Sequence, residues 1–150
     1  MSSIPDYMTE KHRECDDIFT DAESAVAKND WATATMKWQV FAHELTLHFD
    51  AEETILFPEF EQATGMTTGP TQVMRMEHQQ MRALVQDLDN ALAAKNKDEY
   101  LGLSETLMVL MQQHNMKEEM MLYPMANNAI AAADEVAEQL KQHKLTDITA

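Results

Sequence analysis

Two segments of the chain carry the same string of side chains that can bind metal ions. The first reads HFDAEETILFP from His48, and the second reads HNMKEEMMLYP from His114. A shift of 66 residues superimposes these segments and also places His12 on His78, so four of the six histidines recur in the repeat. Imidazoles and carboxylates are common protein ligands of iron, manganese and zinc. The repeat therefore predicts a metal site built from two copies of one motif.

The spacing of the repeated histidines predicts one of them on each of four helices, all at the same height. In an antiparallel helical hairpin, two residues lie level when the turn is midway between them. The midpoints between successive histidines are Asp30, Ala63 and Asn96. Each midpoint lies in a segment that its own residues already mark as a turn or loop, namely KND, EQATGMTTGP and KNKD.

The histidines share their helical faces with apolar residues. Positions seven apart on an α-helix point within about 20° of the same direction. Apolar residues occupy the positions seven or four away from the histidines: Met8, Phe19, Phe41, Ile55, Met74, Val85, Leu107 and Met121. Glu52 and Glu118 each lie one turn beyond a histidine on nearly the same face. We therefore expect four imidazoles and two carboxylates inside an apolar interior.

Metal ions would resolve the cost of burying these groups. An unpaired buried carboxylate costs several kcal/mol, whereas a bound cation turns carboxylates and neutral imidazoles into ligands. Two ions fit the donors better than one, because each takes two histidines of one hairpin while both glutamates bridge; a single zinc ion needs only four ligands. The donor types do not choose between iron, manganese and zinc. The predicted ligands are His12, His48, Glu52, His78, His114 and Glu118.

Composition and charge exclude several classes of function. The 150 residues include 26 acidic and 11 basic side chains, and the net charge of −15 opposes binding to nucleic acid or to an anionic membrane. The first residues show no basic segment followed by an apolar one, and no apolar run has membrane-spanning length, so we expect neither a signal peptide nor a transmembrane helix. The single cysteine, Cys15, suits a reducing compartment, so we expect a cytoplasmic protein.

The predicted fold class is all-α, an antiparallel up-down-up-down four-helix bundle with a short C-terminal helix, built from a duplicated helical hairpin. Few glycines and prolines and many methionines and alanines favour helices over strands. We expect a single domain over 1–150, with the bundle over about 5–127 and a C-terminal extension over 128–150. We expect the first helix to start near Ser3, the second to run from Asp30 to about Phe60, and the third from Pro70 to about Ala94. The fourth is expected to end at about Asn127, and a short fifth helix is expected within 129–145.

The pattern His…His-x3-Glu…His…His-x3-Glu resembles the hemerythrin-like, HHE cation-binding family over roughly residues 5–127. The resemblance implies two iron ions joined by an oxo or hydroxo bridge, with the four repeated histidines as ligands and Glu52 and Glu118 bridging. Members of this family include oxygen carriers, oxygen or iron sensors, and proteins implicated in the repair of iron–sulfur centres.

The sequence departs from the oxygen-carrying members at two positions. Their fifth histidine, four residues after the first histidine of the third helix, corresponds here to Arg82. Their fourth-helix carboxylate corresponds to Glu119, whereas the internal repeat favours Glu118, so Glu119 stays the second choice. The repair proteins usually carry an extra N-terminal cysteine-containing domain, which we do not expect in this chain. Simple O2 transport and the full repair role are therefore both less favoured.

The leading functional hypothesis is a non-haem di-iron protein that binds O2 or a related molecule, NO or peroxide, for sensing, storage or detoxification. Two histidines, two carboxylate oxygens and one bridge give five ligands per iron and leave a position open. The alternative is an iron-handling protein that donates iron to clients or helps repair damaged iron centres. An oxidase or peroxidase, and a metal-free interaction bundle, are further hypotheses.

Several other side chains near the motifs are expected to have structural roles. Asp16 is a candidate further ligand, or a partner of Arg82 outside the ligand set. Cys15 is expected to be a small core residue, with a redox role as the alternative. His43 lies off the ligand stripe, and His143 is expected at the surface. Eight methionines of the third and fourth helices are expected to fill the core, with a copper–thioether site as the alternative: Met74, Met76, Met81, Met108, Met111, Met116, Met120 and Met121.

Overall fold

The computed structural model describes residues 3–145, which form helices joined by short turns and contain no strand. The all-α prediction is confirmed. The ends of the predicted domain, residues 1–2 and 146–150, lie outside the described part. The α-helices are α1 Ile4–Ala27, α2 Trp31–Ala51, α3 Phe57–Thr64, α4 Pro70–Ala93, α5 Lys97–Lys117, α6 Tyr123–Ala129 and α7 Ala133–Gln142. Two π-helical turns, Glu52–Leu56 and Glu118–Leu122, join α2 to α3 and α5 to α6.

Polar side chains fix the starts of three of the long helices. The Ser3 side chain accepts a hydrogen bond from the Asp6 amide, and Asp30 accepts one from the Thr33 amide. Asn96 does the same at the start of α5. Such caps satisfy amides that lack a partner in the first turn of a helix. The turns that the sequence predicted around Asp30 and Asn96 are therefore present.

The π-helical turns change the direction of the side chains that follow them. The amide of Phe57 donates to the Glu52 carbonyl and that of Tyr123 to the Glu118 carbonyl, five residues back in each case. Each turn thus holds one residue more than an α-helical turn. For this reason the expectation that Met121 faces the core is wrong, since its side chain is 59% exposed. The π-turn brings Tyr123 inward instead.

Two clusters of buried apolar side chains lie on either side of the histidine layer. One surrounds Phe19, Trp38 and Tyr100, towards the turns near Asp30 and Asn96. The other includes side chains of the two π-turns and of α7, which packs against α1 and the first π-turn. The layer is therefore closed off along the bundle axis by apolar packing. No helix within residues 3–145 has the length and hydropathy to cross a bilayer.

Half of the methionines expected in the core face solvent instead. Met76, Met116, Met120 and Met121 are each more than half exposed, whereas Met74, Met81 and Met111 are buried. Met76 and Met116 each lie two residues from a histidine of the layer, about 200° around an α-helix, so they face outward. The expectation of core packing is wrong for these exposed methionines.

Cys15 lies in the apolar core, where burial and then the Glu44 carboxylate raise its pKa to about 12. The thiolate is the reactive form of cysteine, and an exposed thiol has a pKa of about 8.5. At this pH we therefore expect iodoacetamide to modify the folded protein much more slowly than the urea-unfolded protein. Folding raises this pKa, so the protonated thiol favours the folded state at neutral pH. That contribution to stability is lost as the pH rises towards 12. Mass spectrometry of alkylated protein, with Cys15→Ser as the blank, measures the rates; equal rates would contradict the buried thiol.

Candidate metal centre

The structure brings all six predicted ligand side chains into one buried layer. The four histidines come from four different helices, and the two glutamates are the first residues of the two π-turns. All six are at most 7% exposed: His12, His48, Glu52, His78, His114 and Glu118. The repeat therefore converges on a single polar layer in an apolar interior.

The six side chains form two groups that share both glutamates. His12 and His48 lie with Glu52 and Glu118 in one group, called here the first position, while His78 and His114 lie with the same glutamates in the second position. In each group, one donor atom per residue lies within 4.8 Å of the others. Each group could hold a cation, and both groups would then use Glu52 and Glu118.

Within the described part of the chain, four buried donor atoms of the layer meet no partner in hydrogen-bond geometry, although His78 Nε2 lies 3.0 Å from Glu52 Oε1. They are Glu52 Oε1, His78 Nε2, His114 Nε2 and Glu118 Oε2, and all four are buried. A buried polar atom left unpaired costs about 1–3 kcal/mol, and more when it is charged. Orphaned atoms that converge from four side chains are what a cation ligand set requires, so the residues present fit a metal ion.

A tyrosine hydroxyl distinguishes the first position from the second. The Tyr123 hydroxyl lies 2.6 Å from Glu52 Oε2, 2.9 Å from Glu118 Oε1 and 3.0 Å from His12 Nε2. Sequence reasoning did not assign this residue to the site. The available signal was its place in the repeat, where Tyr123 superimposes on Phe57 and adds a hydroxyl to an otherwise equivalent ring.

Aromatic rings without polar atoms enclose the second position. The Phe49 ring stacks on His78 with ring centroids 3.9 Å apart. Phe57 also stacks on His78, at 5.6 Å. The second position therefore has an apolar wall where the first has a phenol.

Carboxylates hold the outer nitrogens of three of the four imidazoles. A hydrogen bond through Nδ1 fixes the ring and directs Nε2 inward. The pairs are His12 with Glu119 (2.7 Å), His78 with Glu53 (2.7 Å) and His114 with Glu77 (2.8 Å). Glu119, the second choice as a ligand, thus accepts from the outer edge of His12 and supports the ring from outside the layer.

The predicted contact between Asp16 and Arg82 is wrong. Arg82 donates two hydrogen bonds to Glu53, at 2.8 Å and 2.9 Å, and lies over the Phe49 ring. Asp16 accepts instead from Gln112 at 3.2 Å. The planar guanidinium matches a carboxylate through two parallel hydrogen bonds, and Glu53 is the carboxylate within its reach. Arg82 therefore clamps the partner of His78.

The ionisation of the metal-free cluster is set by burial and by the charges within it. Burial and then the neighbouring Glu118 charge raise the pKa of Glu52 to about 7. Burial alone would raise the pKa of Glu118, but His114 outweighs it and lowers that pKa. Burial would lower the pKa of His114, yet the charge of Glu118 raises it to about 9. The metal-free cluster therefore holds protons that a bound cation would displace.

Substitution of Glu53 by glutamine is expected to weaken metal binding by roughly 10–100-fold. Burial would raise the pKa of Glu53, but hydrogen bonds from His78 and Arg82 outweigh it and lower the pKa to about 2. The carboxylate is therefore ionised at neutral pH, and Glu53→Gln leaves Arg82 without its counter-charge. Competition against a coloured chelator measures the affinity, with the exposed Glu105→Gln as control. Equal affinities for the two variants would contradict the supporting role.

Comparisons with known proteins agree with this site. The model of the hemerythrin HHE cation binding domain matches residues 3–126, which contain all six side chains. An uncharacterized hemerythrin-like protein of Schizosaccharomyces pombe is 30% identical over 121 residues, covering 79% of this chain and 57% of that protein. The chain thus spans little more than half the length of this relative. No solved structure matches the chain. With its buried histidine and glutamate layer inside the matched range, the chain belongs to the hemerythrin HHE cation-binding domain family.

Proposed function

We propose that this protein is a non-haem di-iron protein that binds O2 or a related small molecule, NO or peroxide, for sensing, storage or detoxification. The observation that carries the proposal is that Glu52 and Glu118 belong to both donor groups, so that each group has two imidazoles of its own and two shared carboxylates. Iron ions bound there would supply the affinity for the small molecule.

The donor set supports a pair of iron ions. Glutamates and histidines that project inward from facing helices hold di-iron and di-manganese centres in other helical bundles. The fifth histidine of the oxygen carriers is replaced by Arg82, whose guanidinium is engaged by Glu53. Arg82 therefore does not take the place of that fifth ligand.

The surroundings of the layer support binding of a small molecule. Phe49 and Phe57 pack against His78 and exclude water from the second position. At the first position, the Tyr123 hydroxyl lies within hydrogen-bond distance of both bridging glutamates. Burial, and then Glu118 and Glu52, raise the pKa of Tyr123 well above its usual value, so the hydroxyl keeps its proton in the metal-free protein. Tyr123 can thus donate a hydrogen bond within the layer.

The test is anaerobic loading with ferrous iron, followed by metal quantification and titration with O2, NO and azide. We expect two iron ions per chain and a visible spectrum that changes with each ligand, while protein loaded with zinc stays colourless. A content of one ion or none, or an iron spectrum that NO and azide leave unchanged, would contradict the proposal.

An iron-handling function is the second candidate, and the unequal exposure of the two positions favours it. His48 lines a surface cavity, whereas His78 and His114 are 0% and 1% exposed. One ion would then leave more readily than the other. Rapid transfer of one ferrous ion to a chelator or an apo-protein would favour this function, and retention of both ions with a reversible oxygenated spectrum would favour the first.

Three further parts of the proposal concern location, partners and domain extent. We propose a cytoplasmic location, which the single buried thiol of Cys15 supports because no intramolecular disulfide can form. The small ligand is the proposed partner, since the net charge of −15 opposes binding to nucleic acid and anionic membranes. We propose one domain over 1–150, supported by the packing of α7 against α1.

A further inference from the structure

The internal repeat places two equivalent grooves at the end of the bundle that carries the π-turns. Tyr7 and Met8 of α1 and Ile55 of the first π-turn pack into one apolar cluster, and they define the first groove. A shift of 66 residues gives the side chains that define the second groove, on α4 and on the second π-turn. These side chains are Val73, Met74 and Met121.

The helix α7 covers the first groove. It contacts both α1 and the first π-turn, and its apolar side chains join the cluster to which the groove belongs. These side chains are Ala133, Val136, Ala137 and Leu140. Their spacing of i, i+3, i+4 and i+7 places them on one face of the helix. The first groove therefore seats the apolar face of an amphipathic helix.

The second groove has no such cover within residues 3–145. Val73 is 45% exposed and Met121 is 59% exposed. The chain passes from α3 to α4 through residues 65–69, so no helix of the first half occupies the place that corresponds to α7. The groove contains a cavity of about 210 Å³, and five of its six lining residues are apolar. The lining residues are Pro70, Val73, Met74, Lys117, Met121 and Leu122.

The second half also carries most of the exposed apolar side chains. Ten large apolar side chains are exposed among the described residues, and seven of them lie on α4, α5, the second π-turn and α6. These seven are Val73, Met76, Val109, Met116, Met120, Met121 and Met125. Large exposed apolar patches are rare on monomeric proteins and mark interaction sites where they occur. Methionine, which is unbranched and adaptable, is common at surfaces that bind other proteins.

The net charge of −15 indicates the charge of the partner. Opposite charges accelerate the encounter of two proteins, whereas like charges oppose it. A second copy of this chain has the same negative charge, which disfavours self-association through the groove. A helix with basic residues on its polar face combines the favoured charge with an apolar face that fits the groove.

We propose that the second groove binds a basic amphipathic helix of a partner protein, which lies there as α7 lies in the first groove. Its apolar residues cover Val73 and Met121, as those of α7 cover Tyr7 and Ile55. An amphipathic helix in a hydrophobic groove is a common mode of peptide recognition. This inference goes beyond the proposed function and does not depend on the metal in the layer.

A helical peptide based on α7 is the probe for the groove. It has the sequence of Ala133–Gln142 with Glu138→Lys and Gln142→Lys, and a hydrocarbon cross-link between the positions of Glu135 and Gln139 holds the helix. All these changes lie on the polar face, so the apolar face of α7 is kept. The control peptide carries Leu140→Lys in addition, which removes an apolar anchor and adds positive charge.

NMR spectra of the methionine methyl groups locate the bound peptide. They are recorded with zinc in place of iron, so that no paramagnetic ion broadens the signals. We expect one peptide per chain to shift the signals of Met74 and Met121 and to leave that of Met8, in the first groove, unchanged.

Substitutions in the groove separate specific binding from general attraction. Met121→Glu is expected to weaken peptide binding by about tenfold or more, because a charge buried under the apolar face is strongly unfavourable. Val73→Glu is expected to have the same effect from the α4 side of the groove. Met36→Glu changes a methionine that is 55% exposed on α2, and it should bind the peptide within about twofold of the wild type. Circular dichroism and metal content verify that each variant is folded.

Four results would overturn the inference. A peptide that shifts Met8 but not Met121 would be displacing α7 from the first groove. A control peptide that binds as tightly as the probe would be responding to charge alone. A spectrum that the probe leaves unchanged would mean that the groove accepts no such helix. Sedimentation of the protein as a dimer that Met121→Glu converts to a monomer would assign the groove to a second copy of this chain.

Discussion

Glu118→Ala is expected to lower the metal content from two ions per chain to fewer than one. Glu118 belongs to both donor groups, and Oε1 lies 3.1 Å from His12 Nε2 and 3.3 Å from His114 Nε2. Its loss would therefore remove a proposed ligand from both positions at once, together with a buried negative charge that attracts the cations. Elemental analysis of protein purified from iron-replete cells, normalised to protein concentration, measures the effect.

The adjacent Glu119→Ala is the matched control for this experiment. Glu119 holds the outer nitrogen of His12 and is 34% exposed in its side chain. Its loss is expected to weaken metal binding by roughly 10–100-fold but to leave both ions bound at saturating iron. The reverse outcome, with metal lost in Glu119→Ala and kept in Glu118→Ala, would identify Glu119 as the ligand.

Removal of both metal ions is expected to lower the thermal unfolding midpoint by about 16–32 °C. Each cation that binds only the folded chain adds about 4 kcal/mol to stability when its free concentration is 1,000 times Kd, so two cations add about 8 kcal/mol. For a chain of this size, 1 kcal/mol corresponds to roughly 2–4 °C. Circular dichroism melting curves with ferrous iron and with excess chelator, recorded under anaerobic conditions, measure the difference. Glu118→Ala is the control and should melt alike under both conditions.

The stabilisation by metal is expected to grow as pH rises from 6 to 9. In the metal-free protein the pKa of Glu52 is about 7 and that of His114 about 9, so protons compete with the cation below these values. Both pKa values are raised by folding. The stability that the protonated groups give the metal-free fold is therefore lost as pH rises through the folded values. Both effects widen the gap between metal-bound and metal-free protein. A gap that stays constant with pH would contradict this ionisation.

The position of the site along the bundle axis could be predicted because it depends only on the number of residues between each histidine and the adjacent turn. Antiparallel helices with short turns place residues at equal distances from a turn side by side, so the midpoints at Asp30, Ala63 and Asn96 predicted one histidine layer before any packing was known. The inward direction of Glu52 and Glu118 could also be predicted, because α-helical spacing holds from His48 and His114 to the start of each π-turn. The fold class depends on the same helical patterns and was predicted correctly.

The side chains beyond the π-turns could not be predicted from α-helical spacing. The extra residue in each turn directs Tyr123 inward and Met121 outward, against the pattern extended from His114. The outer carboxylates were missed for another reason. Glu53 and Glu77 reach the imidazoles of neighbouring helices, so their partners depend on how each helix is rotated about its axis, which spacing along one chain does not fix.

The paired π-turns have a consequence for anyone who transfers this centre to another scaffold. Copying the six proposed ligands onto straight helices would reproduce the donor types but would rotate Phe57 and Tyr123 away from them, because each π-turn carries one residue that a regular α-helical turn lacks. The minimal transferable unit is thus the proposed ligand set together with both five-residue π-helical segments, which begin at Glu52 and Glu118. A scaffold that lacks them would hold the cations beside the wrong aromatic neighbours.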